Sequence, residues 1–463
     1  MDQIGNKRVA LFVTTLGSFL ITFASSSVNI ALPLIGKELL MDAVTLSWVA
    51  TAYYLVWAML ILPFGRLGDI HGRKRLFTSG IIIYVISSFF SALSDSAALL
   101  ISLRILNGIG GAMIYGTGVA ILISVFPTAE RGKAFGINVA ATYLGLSGGP
   151  FLGGFLTQHF GWRSIFLANV PLGLIVILLI LWKLKGEWAE AQGEQFDVIG
   201  SIIYSFMLIA IIYGFSLLPT IMGALLILIG LIGIPAFVRY ERSVRDPVLN
   251  MNLFKNNIIF TFSNLAALIN FSAIHAVSFL ISLYLQYVKG FSPQTAGLIL
   301  VSQPIIIAFV SPFAGRLSDR IDARIVASIG MALTALGLGF FIFLNGKTAL
   351  WFIIMNLALL GFGFALFSSP NTNAAMSNIE RQFYGVALAT LGTMRATGQM
   401  LSMGIATLLF AIYIGRTQIT PEYHEIFLMS IRAAFVIFAL LCFSGIFASL
   451  ARGRVRKGRL GAS

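Results

Sequence analysis

Ionisable groups are scarce in the apolar parts of this chain, so each one found there is a candidate for chemistry. Arg104 lies inside the stretch 97–123 and Arg395 inside 383–412, both otherwise uncharged. A guanidinium does not give up its proton in a protein, so a buried one must find acceptors or water. Asn107 follows Arg104 by three residues and Gln399 follows Arg395 by four. In helices each pair would share a face. His275, within 258–288, is of the type that titrates near neutral pH and can carry a proton. Asn29 follows Ser25-Ser26-Ser27 in the first run. The 17 Asp and Glu residues all fall between the apolar runs or at their ends, so no carboxylate is expected in the middle of one. No nucleophile, histidine and acid converge within the runs, which leaves an intramembrane enzyme as a remote alternative, and a channel as another.

The elements that hold these groups follow from composition. Of 463 residues, 58% are apolar and 10% charged, with a mean hydropathy of +0.92. A soluble domain has about 25% charged residues. This excludes a soluble enzyme, a nucleic-acid binder and a disordered chain. Uninterrupted runs of about 20 apolar residues are helices that cross a bilayer, and they lack the alternation of a membrane barrel. The expected fold is therefore an all-α polytopic membrane protein. Cys442 is the single cysteine, and His71, His159, His275 and His424 are not at metal-ligand spacing. No metal or cofactor is expected, and no Gly-x-x-x-x-Gly-Lys-Ser/Thr loop for ATP occurs. The first run, Val9 to Gly36, is 28 residues without a charge, too long for a signal-peptide core.

Cutting at the charges gives thirteen segments: 10–35, 45–65, 76–94, 97–123, 134–158, 164–182, 198–238, 258–288, 293–314, 325–346, 348–369, 383–412 and 427–450. The 41-residue segment 198–238 is twice one span, and Pro219-Thr220 at its middle predicts a turn. The total becomes fourteen, numbered helices 1–14 in chain order. With the N-terminus inside, 23 of the 31 Lys and Arg fall on the inner side and five outside. The positive-inside rule thus predicts a multi-pass cell-membrane protein with both termini cytoplasmic. The basic tail Arg452–Arg459 is expected on anionic lipid headgroups.

An internal repeat is present. Pro63-Phe64-Gly65-Arg66-Leu67-Gly68-Asp69 recurs as Pro312-Phe313-Ala314-Gly315-Arg316-Leu317-Ser318-Asp319, the Gly-Arg-Leu-x-Asp cores lying 250 residues apart. Each follows the second helix of its half. The spacing exceeds six helices by about the length of helices 7 and 8. The expected organisation is a six-helix bundle over 1–186, an inserted pair with its loops over 187–257, and a second bundle with the basic tail over 258–463.

These strings resemble the major facilitator superfamily, whose halves are parallel six-helix repeats. Gly65-Arg-Leu-Gly-Asp69-Ile-His-Gly72-Arg73-Lys74-Arg75 is similar to its cytoplasmic signature loop between helices 2 and 3. There glycines allow close approach of helix ends, and Asp69 would meet a basic partner, here expected to be Arg131, in a charged latch between the halves. Arg104-x-x-Asn107-Gly108-x-Gly110-Gly111-Ala112 resembles the helix 4 motif of proton-coupled members, with Asn107 where the family usually has Gln. Gly145-Leu-Ser-Gly148-Gly149-Pro150-Phe-Leu-Gly153-Gly154 resembles the helix 5 motif of exporters. Val28-Asn29-Ile30-Ala31-Leu32-Pro33, Trp48-Val49-Ala50-Thr51-Ala52-Tyr53, Gly161-Trp162-Arg163-Ser164-Ile165-Phe166-Leu167-Ala168-Asn169-Val170-Pro171 and Arg245-Asp246-Pro247-Val248-Leu249 look like the fourteen-helix drug:proton antiporters.

The resemblance implies a secondary transporter that exports small amphipathic compounds against protons by alternating access. Its partners would be a small-molecule substrate, protons and membrane lipids, with no nucleic acid and no metal, in a monomer. One departure stands out. The branch commonly carries an aspartate where this chain has Ala24, which favours anionic, zwitterionic or neutral substrates over dications and keeps export of an anionic metabolite or lipid as the alternative. Candidates for proton coupling or substrate contact are Arg104, Asn29, His275, Arg395 and Gln399. Helices 7 and 8 carry no charge and no motif.

Overall fold

A computed structural model of the chain describes residues 3–255, 257–377, 379 and 384–453, without the side chains of residues 3, 4, 128, 129 and 319. It contains fourteen helices long and apolar enough to cross a membrane, and no strand among the described residues. They are Gly5–Glu38, Ala43–His71, Arg73–Ala92, Ala97–Val125, Glu130–Phe160, Arg163–Lys183, Val198–Leu217, Ile221–Glu241, Ile258–Val288, Pro293–Ser318, Ala323–Phe341, Leu350–Met376, Tyr384–Tyr413 and Pro421–Ala451. The turn at Pro219-Thr220 separates helices 7 and 8, with Thr220 capping helix 8.

In the first half, helix 1 runs along helix 5, and helix 4 packs on helices 2 and 3. In the second, helix 12 packs on 10 and 11, and helix 9 lies against 13 and 14. Two seams join the halves: helix 2 against helix 13, and helix 5 against helix 10. Because the spans alternate in direction, the two ends of the described chain emerge on one face, here the terminal face; the other is the far face. The outer surface is apolar: Trp182 is 80% and Phe343 72% exposed. Such side chains are stable facing lipid and not water.

In helices 1 and 9 a backbone hydrogen bond within the helix is lost where a neighbour takes up the freed group. Pro33 removes the N–H that would have bonded the Asn29 carbonyl. Helix 9 stops at Ile274 and restarts at Val277, and the Ala276 N–H donates to Ser402 Oγ of helix 13 at 2.9 Å. No proline or glycine lies at that break, so its cause is tertiary.

Arg452 corrects the reading of the basic tail. It is 1% exposed and turns into the second half. Its Nη1 donates to Asn371 Oδ1 at 3.0 Å and Ser263 Oγ at 3.3 Å, and its Nε to the Ser449 carbonyl at 2.8 Å. These neutral acceptors satisfy the guanidinium without a carboxylate, while burial lowers its pKa to about 10. The other basic residues of the tail lie outside the described residues.

Candidate functional site

The signature loop is a docking platform for the segment that follows helix 6. Gly72 joins helices 2 and 3 at φ +122°, a conformation that side chains rarely adopt, and an added Cβ would also meet Glu187. The Glu187 carboxylate accepts the Lys74 N–H at 2.8 Å and the Arg75 N–H at 3.2 Å, at the positive end of helix 3. Arg73 is the hub. Its guanidinium lies 2.6 Å from Asp69, holds both oxygens of Glu190 at 2.7 and 3.0 Å, and donates to Ser124 Oγ at 2.6 Å. The two-pronged hydrogen bond from Arg73 holds the Glu190 carboxyl below the usual carboxylate range.

This corrects two expectations. The partner of Asp69 is Arg73, one helical turn away, and not Arg131. Arg131 instead closes the end of helix 4, donating to the Ile123 carbonyl at 2.9 Å and the Phe126 carbonyl at 3.0 Å. The ion pairs of the signature loop also stay within the first half and the following segment. Among the described residues none joins the halves. In the repeat, a Cβ on Gly315 would lie 3.1 Å from Ser369 Oγ; the Asp319 side chain is outside the described residues.

Arg104 is 1% exposed. It donates to the Val49 carbonyl at 3.0 Å and Asn107 Oδ1 at 3.3 Å, and stacks 4.4 Å over the Tyr53 ring. Asn107 passes the contact on to Ser88 Oγ at 3.3 Å and the Tyr84 carbonyl at 3.4 Å. The acceptors are a backbone carbonyl, an amide and an aromatic face, all from helices 2–4. Arg104 therefore ties the first half together and is shut off from the space between the halves.

The helix 5 glycines serve two interfaces. Gly145, Gly149 and Gly153, four apart, form one ridge against helix 1. A Cβ at Gly145 would collide with Thr22, one at Gly149 with the Ser26 hydroxyl, and one at Gly153 would lie 2.5 Å from Ser27 Cβ. Gly154 faces helix 10, where a Cβ would lie 2.6 Å from the Pro293 carbonyl. Opposite, a Cβ on Gly297 would collide with the Pro150 carbonyl, so the two backbones touch there. Gly297 carries no motif, and only its fit to Pro150 marks it.

Toward the far face the halves are joined by hydrogen bonds. Ser282 Oγ donates to the Asn29 carbonyl at 2.8 Å, and Gln286 Nε2 to the Ile30 carbonyl at 2.9 Å. The Thr51 and Thr407 hydroxyls are 3.0 Å apart, and the Ala43 N–H donates to the Thr417 carbonyl at 2.9 Å.

Between the halves lies an aromatic cluster. His275, at the helix 9 break, sits edge-on to Tyr54 of helix 2, ring centroids 4.4 Å apart. Tyr54 meets Trp57 at 6.4 Å, and Trp57 meets Tyr115 of helix 4 at 5.3 Å. A Cβ on Gly392 of helix 13 would lie 3.4 Å from the Tyr115 ring. One turn on, Arg395 Nη2 donates to Thr372 Oγ1 at 2.6 Å, and its guanidinium lies 5.6 Å from the Phe271 ring. Gln399 follows, half-buried. Three buried polar atoms here have no partner, His275 Nε2, Trp57 Nε1 and Arg395 Nε, and neither has Asn29 Oδ1 of helix 1. Unmet donors and acceptors beside aromatic faces suit an organic guest with both an apolar face and polar edges. The aromatic members were not singled out by spacing, because aromatics make up 13% of the chain and most are expected in packing or against lipid.

Helix 7 lies over the seam of helices 2 and 13. The Tyr204 hydroxyl donates to the Ala58 carbonyl of helix 2 at 3.1 Å and lies 3.4 Å from Thr397 Oγ1 of helix 13. Helix 8 packs on helix 7 and is otherwise exposed. The motif-free pair thus has a position: helix 7 bridges both halves.

A family model described as "Major Facilitator Superfamily" matches residues 14–240 and 263–462. The chain is 31% identical over 443 residues to the riboflavin transporter RibZ of Clostridioides difficile (strain 630), covering 95% of this chain and 96% of that protein. It is 29% identical over 418 residues to the multidrug resistance protein Stp of Mycobacterium tuberculosis (strain CDC 1551 / Oshkosh), covering 88% and 77%. Among solved structures, a bacterial homolog of the human lysosomal transporter Spinster superposes with a TM-score of 0.67 at 16% identity, over 96% of this chain and 97% of that one.

Proposed function

The chain belongs to the major facilitator superfamily and is a membrane transporter of small molecules; from that premise we propose that it exports small amphipathic compounds by alternating access, driven by proton antiport. The aromatic cluster between the halves carries this reading, because the residues with unpartnered atoms lie beside aromatic rings, His275 beside Tyr54 and Arg395 beside Phe271. An aromatic, amphipathic guest fits such a lining. The likeness to a multidrug resistance protein and the exporter string of helix 5 support the outward direction.

The bundles 1–186 and 258–463 would rock against each other about the helix 5–helix 10 contact. With 23 of 31 cations on the terminal face, that face is cytoplasmic and the protein sits in a cell membrane as a monomer. The hydrogen bonds toward the far face then close the outer gate. With no carboxylate in mid-span, His275 is the side chain in the cluster of the type that titrates near neutral pH, and it serves as the proton carrier. Arg395 biases selection toward anionic, zwitterionic or neutral guests.

A second reading, transport of one specific metabolite, is favoured by the indole and imidazole edges left open at Trp57 and His275, which suit a planar heteroaromatic such as the one in the name of the Clostridioides relative. Proteoliposomes decide between them. Substrate-dependent proton flux is measured across a panel holding a dicationic dye, an anionic dye of similar size and riboflavin. Flux with several unrelated amphiphiles supports the exporter, and flux with riboflavin alone supports the second reading. Transport of any of them without proton movement overturns antiport.

A further inference from the structure

Asp197 and Glu241 stand where helix 7 begins and helix 8 ends, 7% and 2% exposed. Each uses one oxygen fully. Asp197 Oδ1 accepts the Gly200 N–H at 2.8 Å, capping helix 7, and the Tyr240 hydroxyl at 3.2 Å. Glu241 Oε2 accepts the Leu249 N–H at 2.9 Å, which fastens the Arg245–Leu249 string to the end of helix 8. The other two oxygens, Asp197 Oδ2 and Glu241 Oε1, converge over Gly200, where an added Cβ would run into both. Neither has a hydrogen-bond donor.

The surroundings offer no counter-charge. The titratable groups that act on the pair from helix 7, helix 8 and the 245–249 segment are Asp197, Glu241 and Tyr240 themselves. No lysine, arginine or histidine pairs with either carboxylate among the described residues. No group of three or more metal-ligating side chains occurs among the described residues either. Two facing carboxylates in a buried site cannot both be ionised without large repulsion. One proton between them turns two opposed lone pairs into a hydrogen bond.

We propose that Asp197 and Glu241 form a proton-binding site, holding one shared proton that clasps the inserted helix pair to the segment leading into helix 9. The site is remote from the aromatic cluster and does not depend on what is transported. With the proton bound, the ends of helices 7 and 8 and the Leu249 backbone form one unit. Loss of the proton leaves two buried anions, so the clasp is closed at low pH and opens as pH rises.

The test uses the purified full chain in detergent without substrate, melted at about pH 6 and about pH 9 in sodium and in choline buffers. Wild type is expected to melt several degrees lower at the higher pH in both. In Glu241→Gln an amide N–H takes the place of the proton, so the pH-dependent drop should shrink by at least half. Asp197→Asn, which keeps the helix cap, should do the same and serves if the first variant does not fold. A wild-type readout stands beside them: the infrared C=O stretch of an un-ionised carboxyl should be present at about pH 6 and gone at about pH 9. The proposal is overturned if both variants keep the wild-type drop, if the drop depends on sodium instead of pH, or if that stretch is absent at about pH 6.

Discussion

Ser282 of helix 9 donates to the Asn29 carbonyl of helix 1 at 2.8 Å, and the carbonyl is free to accept because Pro33 stands four residues on. The proline removes a bond within one half and makes an acceptor for the other. The functional consequence lies at the backbone of Asn29, whereas its side-chain Oδ1 stays unpartnered.

Ser282→Ala should therefore weaken closure toward the far face. A lost neutral hydrogen bond is worth about 1 kcal/mol, a roughly fivefold shift toward the opened state. Spin labels at Leu40 and Gln418, read by pulsed dipolar spectroscopy, should show a larger long-distance population. An unchanged distribution would show that the bond forms without biasing the equilibrium.

Gly149→Ala should cost about 2–4 kcal/mol, because even a methyl collides with the Ser26 hydroxyl. Adding Ser26→Gly should recover part of the loss. Thermal melting of the three proteins measures it. A double variant no better than Gly149→Ala would place the strain elsewhere on helix 5.

Asp69→Asn should leave membrane abundance normal while transport falls at least tenfold, since Asp69 orients the Arg73 guanidinium that holds Glu190. Abundance and efflux are measured together. The same hub gives a pH effect. Arg73 keeps the Glu190 carboxyl below its ordinary range, so the docking it provides is intact at neutral pH and fails only as pH drops through that lowered value. Protease cleavage within 184–197 should be slow at neutral pH and rise only once the pH falls below the ordinary carboxylate range, and Glu190→Gln should be cut readily at both.

Charge selection is tested by paired uptake into inverted vesicles. An anionic dye should enter faster than a dicationic dye of similar size, and Arg395→Ala should narrow the difference. Strong transport of the dication, unaffected by that substitution, counts against a role for Arg395.

Much of the fold was legible because a bilayer leaves few ways to satisfy a backbone. Uncharged runs had to be helices, and Pro219-Thr220 marked the turn in the longest one. The glycine ridge Gly145, Gly149 and Gly153 was readable because helical spacing puts these residues on one face. Partnerships were harder. Arg131 and Arg73 are both plausible mates for Asp69 by charge, and only the turn at Gly72 settles for Arg73. The break at His275 left no trace, since Ser402 on a distant helix holds the freed N–H. Arg452 read as part of a basic tail because Ser263 and Asn371, which receive it, lie far away in sequence.

The touching backbones at Pro150 and Gly297 have one further consequence. A contact made of carbonyl and Cα has no rotamers, so it has a single arrangement and nothing that can change register. It would serve the two halves as an axle: turning about that point repacks no side chain of its own, while sliding along it drives a carbonyl into a Cα. If the halves rock as proposed, rotation about this point is the motion it permits, and any bulk added at Gly297 would act as a brake on it without touching the guest.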